Sequence, residues 1–191
     1  MFEMIKRKQK GLITELESFN RAVFSFDVKN RTVFDLTSII ANQLKALGFD
    51  NVSQDATGNV VATLSGYSSK ENLVLISHID LNQGGKNSFK NGIISSINAV
   101  ASLKRTMIPL KGNLIFCCVP RSECCDFGIK YLFEHTLKQK AENIKGVILC
   151  EPTDYHIALG HKGRMEYEII VKGNLGRDSR SFKGVNILSS L

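Results

Sequence analysis

The chain of 191 residues lacks any apolar run close to the ~18 residues that a membrane-spanning helix requires. Its first segment, MFEMIKRKQKGLITELESF, also lacks the core of a signal peptide, because it is amphipathic and carries Glu15 and Glu17. Internal repeats and low-complexity segments are absent as well. These absences predict a globular chain that has no membrane partner.

The five cysteines lack the spacing of a disulfide framework and of a C-x-x-C metal site. They form two adjacent pairs, Cys117-Cys118 and Cys124-Cys125, and the single Cys150. Free cysteines in apolar, strand-like runs behave as small hydrophobic residues, so we predict reduced thiols and a cytoplasmic location. Cys124 and Cys125 are adjacent to Glu123 in the sequence, so a thiolate ligand of a metal ion is an alternative at this position. Adjacent cysteines, however, rarely both face one ion.

The formal net charge is +7, but the basic residues are scattered apart from KRKQK at positions 6–10. No aromatic platform and no known reader motif for nucleic acids accompanies them. The charge therefore predicts a basic surface, and nucleic acid is not an expected partner.

Hydrophobic periodicity alternates between helices and strands along the chain. Helical patterns cover residues 3–20, 33–47, 92–106 and 126–137, and TG at positions 57–58 predicts the turn of a hairpin. NLVLISHI, GNLIFCCVP and IKGVILCEP read as strands buried on both faces, and HIALGHKGRMEYEIIVKG predicts two more strands. This order predicts an α/β fold with a mostly parallel sheet flanked by helices.

Polar residues with metal-binding chemistry follow the three buried strands. His78 and Asp80 end the first, Glu123 follows the second, and Glu151 follows the third. Ligands collect beyond the carboxyl ends of parallel strands, and imidazole and carboxylate are ordinary zinc ligands. A buried strand-end His78 that is bonded to Asp80 without any metal remains the alternative.

Several motifs together resemble the di-zinc amidohydrolases of the aminoacylase, acetylornithine deacetylase, succinyl-diaminopimelate desuccinylase and carboxypeptidase G type. In chain order they are LISHID, FKNGIISS, ECCDFGIKYLFE, CEPTDYHIALGHKGRMEYEIIVKG and GVNILSSL. The tract from Glu151 to Gly173 is most similar to a deacetylase subgroup linked to selenium metabolism. The resemblance implies a zinc-peptidase-like catalytic domain and assigns roles to individual residues.

By this resemblance His78 and Glu151 are ligands of one zinc ion, and Asp80 is the carboxylate that orients His78. Glu123 corresponds to a ligand of the second zinc in the preferred alignment. The family has two successive glutamates here, the general base and this ligand, and the preferred alignment matches them to Ser122 and Glu123. An alignment displaced by one residue matches them to Arg121 and Ser122 instead. His156 and His161 flank a predicted hairpin and His135 ends a helix, so we do not expect these three to be ligands.

Other positions depart from the family pattern. Ser88 stands where the family has the aspartate that bridges both metals, and Ser122 replaces the glutamate that acts as general base. Arg177 replaces the histidine that stabilises the oxyanion. Zinc binding is therefore expected to be weak or absent, with one site at most.

The resemblance also divides the chain. Residues 1–172 correspond to part of a catalytic domain, and residues 173–191 correspond to the start of a small α+β lid and dimerisation domain. Only seven residues, 81–87, separate Asp80 from Ser88, where the family has some 30 residues.

We therefore expect a degenerate homologue of N-acyl-amino-acid deacetylases and peptidases, inactive or weakly metal-binding. The alternative is one piece of a split metallo-deacetylase or aminopeptidase that receives its missing ligands from another chain. Either hypothesis predicts exposed apolar surface that leads to self-association or to binding of a complementary chain.

Overall fold

The chain folds around one mixed sheet, seen in a computed structural model that describes residues 2–27, 30–68, 70–80, 88–120, 127–151, 153–154, 156–160, 167 and 170. The described strands are β1 (Asp50–Gln54), β2 (Val60–Leu64), β3 (Asn72–Ile79), β4 (Asn113–Pro120) and β5 (Ile144–Leu149). Their order in the sheet is β1-β2-β4-β3-β5. β2 is antiparallel to β1 and to β4, whereas β3 is parallel to both β4 and β5. The predicted α/β class is confirmed, and its parallel part is the trio β4, β3 and β5.

Four α-helices accompany the sheet in the described part of the chain: α1 (Phe2–Phe24), α2 (Val33–Ala46), α3 (Ser88–Thr106) and α4 (Phe127–Tyr131). α4 continues into a π-helical turn, Leu132–Thr136, and a 3₁₀ helix, Lys138–Asn143. α2 begins with a capping box in which Thr32 and Asp35 exchange backbone and side-chain hydrogen bonds. No helix among the described residues is long and apolar enough to cross a membrane.

β4 separates two hydrophobic clusters, as its apolar sequence predicts. Leu114, Phe116 and Cys118 face the cluster formed with α2 and α3, and Ile115 and Cys117 face the cluster on the other side of the sheet. Burial raises the pKa of Cys117 to about 12, so this thiol stays protonated at neutral pH. Cys117, Cys118 and Cys150 are free thiols, in agreement with the predicted absence of disulfides among them.

β5 differs from its prediction as a strand buried on both faces. It pairs with β3 along one edge, and it leaves Val147 45%, Ile148 49% and Leu149 62% exposed. A strand that is apolar on both faces is buried only when layers cover both faces, and the described residues do not cover β5 in that way. Continuous apolar sequence therefore identified the strand correctly and its burial incorrectly.

The chain divides into two units, Met1–Tyr155 and His156–Leu191. The first contains the whole sheet and all the helices named above. In the second, residues 156–160 are exposed and form no strand, so this part of the predicted strand pair is wrong. The predicted domain boundary between residues 172 and 173 lies outside the described residues and stays a prediction.

A buried lysine ties α3 to the end of α1. The ammonium of Lys90, a residue only 2% exposed, donates hydrogen bonds of 2.9 Å to the carbonyl oxygens of Phe24 and Phe26. Carbonyls at the end of a helix have no partner within the helix, and the positive charge suits the negative end of the helix dipole. Burial lowers the pKa of Lys90, and the nearby charge of Asp27 opposes that shift. Lys90 thus fixes the start of α3, which follows the strand carrying His78.

The turn between β1 and β2 is organised by the carboxylate of Asp55. It accepts hydrogen bonds from the backbone and hydroxyl of Thr57, from the backbone and amide of Asn59, and from the hydroxyl of Thr136. Asn59 also donates to the carbonyl oxygen of Gly128 in α4 at 2.9 Å. The turn therefore anchors α4 and the π-helical turn against the sheet. Burial raises the pKa of Asp55, but these hydrogen bonds outweigh burial and hold the pKa below its ordinary value.

Replacing the carboxylate in Asp55→Asn should lower the free energy of unfolding by about 1–3 kcal/mol at pH 7, the typical value of hydrogen bonds to a charged group. Because the folded-state pKa lies below the unfolded value, the contribution is present above pH ~4 and disappears as the pH falls through the folded pKa. Urea unfolding of both proteins between pH 3 and pH 7 measures this difference. A deficit that stays constant down to pH 3 would contradict an ionised Asp55 as its source.

Candidate metal centre

His78 and Glu151 meet at the carboxyl ends of two neighbouring parallel strands. β3 and β5 pair with Ile76 opposite Leu149, and the ladder continues through a 2.8 Å hydrogen bond from the Cys150 amide to the Ile76 carbonyl. The same register, continued by two residues, sets Glu151 beside His78. The strand-end argument from the sequence therefore brings these two side chains together for the expected reason.

The Nδ1 atom of His78 and the Oε1 atom of Glu151 are 2.7 Å apart. Despite this distance, Nδ1 is buried and makes no hydrogen bond of acceptable geometry. The His78 side chain is 18% exposed, whereas that of Glu151 is 45% exposed. A buried nitrogen without a hydrogen bond, next to a carboxylate oxygen, has the donor chemistry of a metal ligand.

Asp80 directly follows β3 and is 8% exposed. Its position two residues beyond His78 suits the predicted role of orienting the imidazole, although that role stays a prediction. On the neighbouring strand β4, Pro120 pairs with Ile79 of β3, so the carboxyl ends of these two strands lie side by side.

The remaining predicted site residues are outside the described part of the chain. They are Arg121, Ser122, Glu123, Cys124, Cys125, His161 and Arg177. Ser88 begins α3, but its side chain is not among those described. His135 is exposed and contacts the ring of Tyr131, as expected of a surface residue.

Within the described residues, no cluster of three or more His, Cys, Asp or Glu side chains could hold a metal ion. A catalytic zinc normally has three protein ligands and a water molecule. His78 and Glu151 therefore fit a metal as a pair of donors, and the described residues do not complete a catalytic coordination shell.

An apolar cavity of about 260 Å³ adjoins this pair. His78 and Glu151 form its polar part, and the other residues that line it are Ile76, Val119, Pro120, Ile129 and Leu149. Sequence reasoning missed this cavity, because its lining comes from four separate segments that only the sheet and α4 assemble.

Gly92 sets how closely α3 approaches the strand end that carries Glu151. A Cβ atom at this position would lie 2.4 Å from the carbonyl oxygen of Cys150, closer than real Cβ contacts. Beside it, the hydroxyl of Ser77 lies 2.7 Å from that of Ser96 and 3.3 Å from the Gly92 carbonyl, which it contacts as a donor. The absence of a side chain at Gly92 thus permits the packing that holds residues 150 and 151 beside β3.

The substitution Gly92→Ala should lower the free energy of unfolding by about 1–3 kcal/mol, because overpacking against the backbone forces α3 or the strand end to shift. Gly11→Ala is the matched control, since nothing lies within 4 Å of a Cβ atom added there in α1. Alanine in place of a helical glycine should stabilise the control by about 0.5–1 kcal/mol. Chemical denaturation of both variants measures the contrast, and equal effects would show that the close approach at Gly92 is not a constraint.

His78 and Glu151 thus form a candidate pair of metal donors at the ends of two parallel strands of the α/β sheet. A protein of Methanocaldococcus jannaschii named as an uncharacterized metallohydrolase is 30% identical to the chain over 135 residues, covering 64% of this chain and 38% of that protein. No protein-family model matches the chain.

Solved structures of dipeptidases have the same fold. Human carnosine dipeptidase 1 aligns with a TM-score of 0.54 and 15% identity over 78% of this chain and 40% of its own. The dipeptidase Dug1p from Saccharomyces cerevisiae aligns with a TM-score of 0.56 and 17% identity over 77% of this chain and 40% of its own. The chain spans about two fifths of the length of each of these three proteins.

These comparisons confirm the resemblance read from the sequence. The chain is similar to a protein named as a metallohydrolase and has the α/β fold of these two dipeptidases.

Proposed function

We propose that this chain is a degenerate homologue of zinc-dependent amidohydrolases that binds one metal ion weakly and does not hydrolyse substrate efficiently by itself. The observation that carries the proposal is the pair formed by His78 and Glu151, whose donor atoms are 2.7 Å apart while the imidazole nitrogen has no hydrogen bond. A metal ion bound there would take one nitrogen and one oxygen from the chain. Asp80 would orient the imidazole of His78, as the resemblance implies.

A bound zinc ion would supply Lewis acidity to a water molecule or a carbonyl group. The chain would contribute the positions of His78 and Glu151, and the neighbouring apolar cavity would exclude water from one side of them. Serine at position 122 cannot accept a proton from water as a glutamate does, and loss of a general base typically costs ~10²–10⁴-fold in rate. Serine at position 88 carries no charge with which to bridge two cations.

Calorimetric titration of the chelator-treated protein with zinc tests the proposal. We expect one binding event in the wild type and its loss in both His78→Ala and Glu151→Ala. Neither variant should lose its fold, because His78 lies at a strand end and Glu151 is nearly half exposed. The control His135→Ala removes an exposed histidine and should bind zinc like the wild type.

Zinc binding that persists in both site variants would place the metal elsewhere and refute the assignment. A wild type that binds no zinc would leave His78 and Glu151 as an ion pair without a metal. Rapid turnover of N-acyl amino acids or dipeptides by the isolated chain would contradict the proposed loss of activity.

The exposure of β5 favours a second candidate, in which the chain works together with another strand. Among the described strands β5 pairs only with β3, and its residues Val147, Ile148 and Leu149 are exposed on both faces of the sheet. Edge strands with unpaired backbone groups and apolar side chains are templates for pairing with another chain. The strand could come from a second copy or from a complementary chain that supplies missing ligands, in a split deacetylase or aminopeptidase that cleaves N-acyl or peptide bonds.

For pairing between copies, we expect the wild type to associate as its concentration rises and Ile148→Lys to remain monomeric, because a charged residue on an edge strand opposes pairing. Sedimentation velocity over a hundredfold range of concentration measures this. Lys138→Met is a control with the opposite change in charge at an exposed site outside β5, and it should associate like the wild type. A wild type that is monomeric throughout would eliminate pairing between copies.

A further inference from the structure

A second cavity of about 280 Å³ lies at the end of the sheet opposite to His78, where β3 and β4 begin. Four leucines form its apolar surface, and two of them are unusually accessible, Leu73 at 40% and Leu103 at 38%. The leucines, from β3, α3, the loop that precedes β4, and β4, are Leu73, Leu103, Leu110 and Leu114. This cavity has no part in the proposed metal centre.

The amide side chains in the lining are already engaged with the protein. Asn113 donates to the side-chain oxygen of Asn72 at 3.0 Å, and the oxygen of Asn113 accepts from the Gly66 amide at 3.1 Å. Asn72 in turn donates to the carbonyl oxygen of Lys140 at 3.4 Å. Because these hydrogen bonds occupy the two amides, the floor offers a ligand mainly apolar contact.

Among the described residues that line the cavity, the rim has two cations, Lys111 and Lys145, and one anion, Glu71. Lys111 lies 3.5 Å from the carboxylate of Glu71, so these two charges compensate each other. Lys145 also lines the cavity, and the described part of the chain provides no hydrogen-bonding or ionic partner for its ammonium. An apolar cavity with one uncompensated positive charge at its mouth selects for an apolar ligand with one negative charge.

We propose that this cavity binds an unbranched, medium-chain carboxylate. The leucines contact the alkyl chain, and Lys145 pairs with the carboxylate at the rim. Lysine suits this position because its long stem can lie along apolar surface while the ammonium stays in water. The site is independent of the metal centre, since the two cavities share no lining residue.

Calorimetric titration of the chelator-treated protein with hexanoate, octanoate and decanoate, below the concentrations at which they form micelles, tests the site. Each added methylene should tighten binding by about fourfold until the cavity is full. Lys145→Gln should weaken decanoate binding by about two- to fivefold, the upper range of an exposed ion pair, without changing the binding of decan-1-ol. Leu103→Asp should weaken both ligands by tenfold or more, because it places a charge in the apolar floor.

Matched controls separate this site from general apolar adhesion. Lys45→Gln removes an exposed cation of α2, and Met107→Asp places the same charge at a residue that is 85% exposed and does not line the cavity. Both controls, and His78→Ala, should bind decanoate like the wild type, and thermal melts confirm that each variant is folded. The proposal is overturned if Leu103→Asp or Lys145→Gln binds decanoate unchanged, or if decyltrimethylammonium binds as tightly as decanoate.

Discussion

The parallel pairing of β3 with both β4 and β5 is the constraint on which the rest of the molecule depends. A parallel ladder aligns the carboxyl ends of its strands, and here its register sets Glu151 beside His78. One hydrogen bond, from the Cys150 amide to the Ile76 carbonyl, extends this ladder past the end of β5. The two donors meet although 72 intervening residues separate them in the chain, because backbone hydrogen bonds leave little freedom at the strand ends.

The packing around the carboxyl ends of β3 and β5 stabilises the same arrangement of His78 and Glu151. Gly92 lets α3 touch the backbone at Cys150, and Lys90 holds the beginning of α3 against the end of α1. On the other face, Asp55 and Asn59 attach the π-helical turn and α4. Polar contacts between residues far apart in the sequence thus stabilise the packing around the carboxyl end of β3, where His78 lies. Such bracing can persist when ligands are replaced, since none of these contacts depends on a metal ion.

β5, the last strand in the sheet order, is packed much less closely than this region. β5 ends in three apolar residues, Val147, Ile148 and Leu149, that are highly exposed, and each of the two cavities is lined in part by a residue of β5, Lys145 in one and Leu149 in the other. Apolar side chains that remain in water contribute no stabilisation to the folded chain. The physical chemistry of this edge therefore favours contact with another strand or with an apolar ligand.

Local sequence was sufficient to predict most of the elements. The bounds predicted from side-chain pattern for α2 and β3 agree with the observed bounds to within one residue, and β4 is apolar enough to predict burial on both faces. Periodicity also placed α1 and α3, but it missed the last turn of the first and the first turn of the second. Where a helix frays or extends depends on contacts such as that of Lys90, which periodicity does not contain.

For the candidate site, the sequence by itself determined which donor residues follow the strands, namely His78, Asp80 and Glu151, because strand ends are visible in apolar runs. It also places serines at positions 88 and 122, where the resemblance implies an aspartate and a glutamate. The resemblance already paired Glu151 with His78, and the tertiary structure showed the strand register that brings them together. Only the tertiary structure decided that β5 is the last strand in the sheet order, and that leucines from separate elements line a cavity beside Lys145. The physical reason is that strand order and register arise from contacts between residues far apart in the chain, and local patterns do not specify them.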